Sequence, residues 1–498
     1  MGLFSRIRDF LAGLIKSRQI ASAMQTTFKL PEDMMGMIEV WQDAYMARAD
    51  DGGSDQHSGL ASMMANDLAR KAMSELRVAS SRAGVSEYPL DIFDDDGLLM
   101  LRSQVEYAIA MGGVLMRPVY RDGQIVEEWY TPDRIIPTDW DRRTMTGVTL
   151  VDYFIQTTSG GVATTYAKLE SHGWDEEDGR WHIRTKAFKD FGFASGSGLS
   201  FGAYVGTEVP LADIPQWADI DPDVTIEDAR CPTFVYIGTP FANNKVFNQP
   251  LGVSIFKDAL PWLDEFERAF TSARHENRHG RSRLFVADSM IGQTYIPGVD
   301  GSKGIMVDDL DVVDREFIRK LETESSDRLF EEWAPTLRFE SFENYMNFLL
   351  HMVCLTCGLD PGQYVFDEKS YAVTAKEVVS KQQKTYTTIC DIQRYMVTPA
   401  VSHIVECVRQ AQLLYDLPAI PDDIEVACDF GDSILTDEDA ERQNALLEVN
   451  SGLRSRLSYL ITQRHLTEEE AMKELERIAG DEASTSPRVP DAFTEEGA

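Results

Sequence analysis

Two stretches of helical pattern, held apart by residues 281–338, constrain this 498-residue chain more than any motif in it. The first, "LDEFERAFTSARHENRH", meets no Gly or Pro until Gly280 and predicts a helix from near Leu260 to His279. Pro261 then falls in the first turn, where a helix accepts proline. The second, "SFENYMNFLLHMVCLTCG", predicts a helix of about five turns, about 27 Å long. Ser341 would open it and Gly358 close it. Between the two, "RLFVAD" and "GIMVDDLDVV" read as short strands, beside an acidic helical piece. The helices carry more apolar positions than one helix–helix contact can bury, which calls for further packing, side by side with other copies.

The first helix ends in "HENRH", residues 275–279, a literal match to the H-E-x-x-H zinc-protease motif. On a helix, two His one turn apart share a face and hold Zn²⁺ while the Glu polarises water. The surroundings oppose a metal, because Arg274, Arg278, Arg281 and Arg283 crowd the imidazoles. A third ligand is missing too. Ser282 and Phe285 stand where the extended motif needs Gly and His, and no Glu occurs between Glu276 and Glu316. The simpler reading is a cationic helix C-terminus that complements the dipole. Cys354 and Cys357 form a C-x-x-C in an apolar helical stretch with no second pair nearby, which reads as core packing.

Forty-eight basic against 82 acidic residues leave a formal charge of -34. That argues against loose adhesion to nucleic acid or an anionic membrane. It suits DNA that must slide, since a wall that repels phosphate does not trap it. Six unevenly spaced cysteines give no disulfide framework and fit a reducing compartment. The start, "MGLFSRIRDFLAGLIKSRQ", reads as a short amphipathic basic helix too broken for a signal peptide. "MNFLLHMVCLTCGL" is too short to span a bilayer, so the expectation is a soluble chain that is not exported. "GVDGSKG" and "GSGLSFG" lack the spacing of a phosphate-cradling loop. The acidic runs at 94–96 and 308–311 read as solvated surface before Mg²⁺ ligands. No catalytic residue, cofactor or metal ligand is assigned.

Elsewhere, helical patterning dominates residues 32–110, interrupted by the loop "DDGGSDQHSG". "GGVLMRPVYRDGQIVEEWY" is a hairpin turning at Asp122 and Gly123. A longer meander over 147–188 turns at 159–161 and 178–179, and residues 190–250 read as irregular. Thr374 with Glu377 forms a capping box for a helix that could reach Leu417, bent near Pro399. Past the strand-like "IEVACDFGDSIL", Thr436 opens a helix that Gly452 ends, and Thr467 with Glu470 opens "EEEAMKELERIAG". The tail from 481 reads as disordered. The fold class is α+β, mainly α.

The order of these pieces resembles the portal proteins of tailed bacteriophages. "LGVSIFKDALPWLDEFERAFTSARHENRHGRSRLFVADSMI" is similar to the stretch leading into that family's clip. "APTLRFESFENYMNFLLHMVCLTCGLDPGQYVF" with "YAVTAKEVVSKQQKTY" resembles its second stem helix, its tunnel loop and the start of its long helix. Lys376 stands there in place of a Thr that the family often has. "DFGDSILTDEDAERQNALLEVNSGLRS" and "TEEEAMKELERIAG" fit its C-terminal part, and "YAKLESH" with "WHIRTKAF" is similar to its N-terminal sheet. The resemblance spans residues from about 100 to 480, and Pro261 departs from the pattern expected of a first stem helix.

The resemblance implies a portal fold with wing, stem, clip and crown, assembled as a ring around a central channel. It places a wing region at 1–250, stem helices at 251–280 and 339–358, and a clip at 281–338. A tunnel loop follows at 359–373, a long wing helix at 374–420, a crown region at 421–480 and a tail at 481–498. The ring, usually of twelve subunits, would sit at one vertex of a capsid, assembled in the host cytoplasm and carried in the virion. Double-stranded DNA would pass through it. The implied partners are the terminase, the major capsid and scaffolding proteins, and head-completion or adaptor proteins, with no membrane. The implied tunnel-loop residues are Asp367, Glu368, Lys369, Ser370 and Tyr371, with Lys369 the loop's one cation, able to hold a phosphate only transiently. The implied docking residues of the clip are Arg281, Arg283, Arg315, Arg319 and Lys320. Competing readings are a zinc metalloprotease, a terminase large subunit, and another head or connector protein.

Overall fold

The computed structural model describes residues 20, 22–24, 33–47, 57–82, 88–142, 144–157, 163–175, 179–191, 205–280, 283–287, 293–296, 305–308, 317–320, 330–366, 383–431, 445–449, 451, 454–464 and 468–485. They fall into two units: Met1–Tyr371 with Lys381–Phe430, and Ala372–Ser380 with Gly431–Ala498.

The first unit opens with helices α1 (Asp33–Met46) and α2 (Leu60–Met73). α2 buries Leu60, Ala61, Met64, Ala65, Leu68, Ala69 and Ala72, a spacing of three and four that makes one helix face. Strand β1 (Leu76–Arg82) leads to α3 (Asp95–Met111), whose N-cap Asp94 accepts from the Gly97 N–H at 2.8 Å. β2 (Gly113–Arg121) and β3 (Gln124–Tyr130) form the expected hairpin, with Asp122 and Gly123 at φ 52° and 89°. Two left-handed residues give the turn the twist that the strands need.

β4 (Ile135–Asp141), β5 (Thr144–Thr157), β6 (Ala163–Asp175) and β7 (Arg180–Lys189) make the antiparallel meander. β8 (Thr207–Val209) and β9 (Asp223–Ile226) both pair with β7, and β10 (Val235–Gly238) pairs with β2 to complete a β10-β2-β3 sheet. Residues 190–250 were expected to be irregular, yet they hold these three strands. Each is only three or four residues long, too short for an alternation to show.

α4 (Leu260–His279) has the bounds predicted from its pattern, with Pro261 in its first turn. Five strands follow: β11 (Arg283–Ala287), β12 (Gln293–Ile296), β13 (Ile305–Asp308), β14 (Phe317–Lys320) and β15 (Phe330–Trp333). None of the described residues in 281–338 is helical, and residues 309–316 and 321–329, which hold most of the acidic side chains, lie outside the described residues. α5 (Phe339–Thr356) begins two residues before Ser341 and ends at Gly358 in the left-handed conformation, φ 74°. α6 (Gln383–Ile392) passes through a π-helical turn, Gln393–Val397, into α7 (Thr398–Leu414). The irregularity expected at Pro399 is this turn just before it, where Thr398 Oγ1 donates to the Gln393 carbonyl at 2.9 Å. The capping box of Thr374 and Glu377 lies outside the described residues.

β16 (Ile424–Phe430) returns antiparallel to β1, with Leu76 opposite Phe430. β1 therefore overturns the helical expectation for its part of 32–110. The main core joins all the helices from α2 to α7 over β2 and β10, through residues such as Leu68, Ile109, Met116, Phe256, Val353 and Val401. A second core sets Met34, Ile38 and Trp41 of α1 against Leu115, Val148, Trp181 and Phe234. Among the described residues, no helix is long and apolar enough to cross a membrane.

The second unit contains helical residues 445–449, α8 (Arg456–Arg464) and α9 (Glu468–Thr485). α9 runs past Gly480 to Thr485, so residues 481–485 are helical where a disordered tail was expected, and residues 486–498 lie outside the described residues. The helix start assigned to Thr436 lies outside the described residues.

Candidate functional site

α4 and α5 pack antiparallel, and three contacts set their register. Trp262 meets Phe348 edge-on with centroids 6.4 Å apart, and the Tyr345 hydroxyl donates to Glu265 Oε1 at 3.1 Å. At the other end, Glu276 accepts from the Arg338 backbone N–H at 3.0 Å and from its guanidinium at 3.1 and 2.5 Å. This contact explains why α5 needs no cap from Ser341. The carboxylate of α4 satisfies one of the donors that a helix start leaves open. Hydrogen bonds from Arg338 hold the Glu276 carboxyl below the usual carboxylate range. The Glu that a zinc protease would use as its base is thus committed to an arginine. A Cβ on Gly280 would collide with Leu337 and lie 2.7 Å from the Glu276 carbonyl oxygen, so glycine lets the two chain segments close up here. A groove of about 250 Å³ runs between the helices, lined by Phe270, Ala273, Arg274, Phe339, Phe342 and Met346.

The helix pair carries a strand module. β11 leaves α4, pairs parallel with β14 and antiparallel with β15, and β15 leads back into α5. β12 and β13 form a separate two-stranded sheet. Arg283 lies opposite Trp333, Arg319 opposite Val286 and Lys320 opposite Ala287, so three of the predicted docking residues belong to one sheet. Arg281 and Arg315 lie outside the described residues.

Asp367, Glu368, Lys369, Ser370 and Tyr371 also lie outside them, but both flanks of their segment are described and pinned. The Asp360 N–H donates to Thr385 Oγ1, and the Asp360 carboxylate accepts from the Thr385 N–H, both at 3.0 Å. Thr388 donates to the Gly358 carbonyl at 2.8 Å. On α2, Asp67 accepts from Tyr364 at 2.7 Å, Gln363 at 3.2 Å and Lys71 at 2.8 Å. Burial opposes its charge, yet these donors hold the Asp67 carboxyl below its ordinary value. The chain therefore leaves and returns at one place. Beneath it, burial pushes the Cys354 thiol up to about 11 and that of Cys357 further, which suits packing and not thiolate chemistry.

A buried ionic network, unforeseen from sequence, joins the β10-β2-β3 sheet to the long meander. Arg117 of β2 binds Glu128 of β3 at 2.9 Å and pairs closely with Glu170 of β6. Lys168 stands 3.8 Å from both Glu170 and Asp152. His172 bonds Glu170 through Nε2 at 2.8 Å and Thr233 through Nδ1 at 2.6 Å, and Trp181 Nε1 reaches the same Thr233 oxygen at 2.8 Å. The Glu170 carboxylate only accepts, so the neutral imidazole keeps its proton on Nε2 and donates it there. Nδ1 accepts from the Thr233 hydroxyl, which in turn accepts from the Trp181 N–H. Burial, reinforced by the Arg117 and Lys168 charges, holds His172 well below its ordinary value. Glu128 is held low despite burial, by Arg117 first.

Both shifts make acid destabilising. Below about pH 6.5 the unfolded His172 takes up a proton that the folded one refuses, so stability falls with pH, and Glu128 adds a loss of the same sign lower down. Melting temperature measured between pH 7.5 and 5 should drop, and His172→Gln should flatten that slope. An unchanged slope in the variant would remove His172 from the effect.

No family model matches this chain, and no curated protein matches it. Among solved structures, a chain from the virion of a native gene transfer agent particle is similar over 90% of this chain and 98% of its own, at 11% identity and a TM-score of 0.39.

Proposed function

We propose that this chain is the subunit of a portal ring, about twelve copies around a channel for double-stranded DNA at one capsid vertex. It has no catalytic centre of its own. The strand module docks the terminase during packaging and head-completion proteins afterwards, while the outer parts meet capsid and scaffolding proteins. The observation that most supports this reading is the α4–strand module–α5 arrangement, a sheet mounted at the joined ends of an antiparallel helix pair. The contact between Asp360 and Thr385 supports a second part of it, a segment whose two flanks are fixed at one place.

Two sets of variants test the roles. Reversing charge at Arg315, Arg319 or Lys320 should spare ring assembly and impair DNA packaging. Deleting Glu368 to Tyr371 should also permit assembly, yet reduce packaging or retention of DNA. Full-length packaging and normal retention in every variant would remove both segments from these roles.

A further inference from the structure

Two of the six cysteines, far apart in sequence, meet where the segment before β10 crosses α7. Gln410 Oε1 accepts from the Arg230 N–H at 2.7 Å and from the Cys231 N–H at 3.1 Å. Its Nε2 donates to the Cys231 carbonyl at 3.0 Å. Cys407 lies one turn before Gln410 on the same face of α7, and its Sγ is 3.6 Å from the Pro232 carbonyl oxygen. The Cys231 and Cys407 thiols are hydrogen-bonded to each other, and both are free of any disulfide. Just outside them, Arg230 binds Asp422 at 3.0 Å, and Arg409 of α7 binds the same carboxylate at 2.8 Å. The Cys231 backbone is thus clamped over the helix that carries Cys407.

The pair is asymmetric. Cys407 is 2% exposed, whereas Cys231 is only half-buried. The hydrogen bond from Cys407 holds the Cys231 thiol below its ordinary value, against burial and the Glu406 charge, and Arg409 adds to the effect. The same bond, with burial, holds Cys407 well above its own. Burial raises the thiols of Cys354, Cys357 and Cys428. Thiol–disulfide exchange needs an accessible thiol that ionises readily and a second thiol fixed beside it. Cys231 and Cys407 supply both.

We infer that Cys231 and Cys407 are a redox-active pair that closes to a disulfide on meeting a low-molecular-weight disulfide, and so locks the segment before β10 to α7. The Cys231 thiolate attacks one sulfur of the small disulfide, forming a mixed disulfide and releasing one thiolate. Cys407 then attacks the Cys231 sulfur and expels the second. The protons of Cys231 and Cys407 end on the two released thiols, so one disulfide is reduced as another forms. The closed loop runs from residue 231 to residue 407, and a cross-link over so long a loop restricts the unfolded chain. For a chain that assembles in the host cytoplasm and leaves in a particle, which rests on the reading above, the pair is open during assembly and closed afterwards.

Oxidised glutathione is the probe. The purified, folded chain incubated with it should lose the mass of two hydrogens, and peptide mapping should find Cys231 joined to Cys407. The oxidised chain should melt at least about 3 °C above the reduced one. Cys231→Ser and Cys407→Ser should each abolish both changes, and Cys407→Ser should hold one glutathionyl group at Cys231 instead. A folded wild-type chain that stays reduced, stops at a glutathionyl adduct or joins a different cysteine pair would overturn the inference, whether or not the variants fold. In released particles the pair should be closed, and free thiols there would overturn the timing. Particles that lack the chain would instead overturn the virion reading and leave the exchange on the purified chain intact.

Discussion

Arg117→Ala should cost about 3–5 kcal/mol of unfolding free energy, the range seen when one partner of a buried ion pair is removed. Arg117 is the residue that touches both Glu128 and Glu170, and so ties the β2–β3 hairpin to the long meander. Without it Glu128 keeps Arg121 at 2.9 Å, but Glu170 retains only Lys168, at 3.8 Å, and the His172 N–H. Glu170 is 3% exposed, so water cannot replace the lost guanidinium. Glu170→Gln should cost a comparable amount, because it leaves Arg117 and Lys168 facing each other with no carboxylate between them. Denaturant titration of both variants measures this. A loss below about 1 kcal/mol in either, the size expected of a surface pair, would show that the network does not hold the sheets together.

A second large effect is expected where two glycines meet. A Cβ on Gly252 would collide with the Gly112 carbonyl oxygen and lie 2.8 Å from both Thr239 N and Thr239 Oγ1. Gly112 ends α3 at φ 102°, and a Cβ there would lie 2.5 Å from the Gly252 oxygen. The close approach is used: Thr239 N donates to the Gly112 carbonyl at 3.1 Å, and Thr239 Oγ1 donates to that of Val253 at 2.7 Å. Because the nearest obstructing atom is the Gly112 backbone oxygen, no rotamer change relieves the clash. Gly252→Val should destabilise by more than about 4 kcal/mol, beyond the ordinary range of point substitutions. A folded, soluble variant with an unchanged denaturation midpoint would contradict the packing of α3 against the segment that leads into α4.

What could be read from sequence divides along physical lines. α4 was legible to its end residues because it is long, periodic and bounded by Pro261 and Gly280. The hairpin at Asp122 and Gly123 was legible because few residue pairs accept two positive φ angles. β1 was not: in Leu76–Arg82 only Leu76 and Ser80 are buried, and its strand character comes from β16, far along the chain. The start of α5 was misplaced because its first donor is satisfied by Glu276 from another helix, which no local motif announces.

The ionic network was hidden by its own regularity. Lys168, Glu170 and His172 alternate with Ala167, Leu169 and Ser171, a pattern that ordinarily marks a solvent face. Here the polar face is covered by the hairpin, and all three are under 5% exposed. Of the candidate site, the helix–sheet–helix frame was legible from periodicity. The register that brings Arg283, Arg319 and Lys320 into one sheet was not, because a parallel pair such as β11 and β14 needs a crossover and has no turn signature between its strands.

The most direct test of the central claim is negative-stain imaging of the purified full chain, with its mass taken by light scattering. The account predicts rings with a central hole and a mass of about 670 kDa, twelve times that of the 56.0 kDa chain. A 56.0 kDa monomer with no rings under assembly conditions would contradict it.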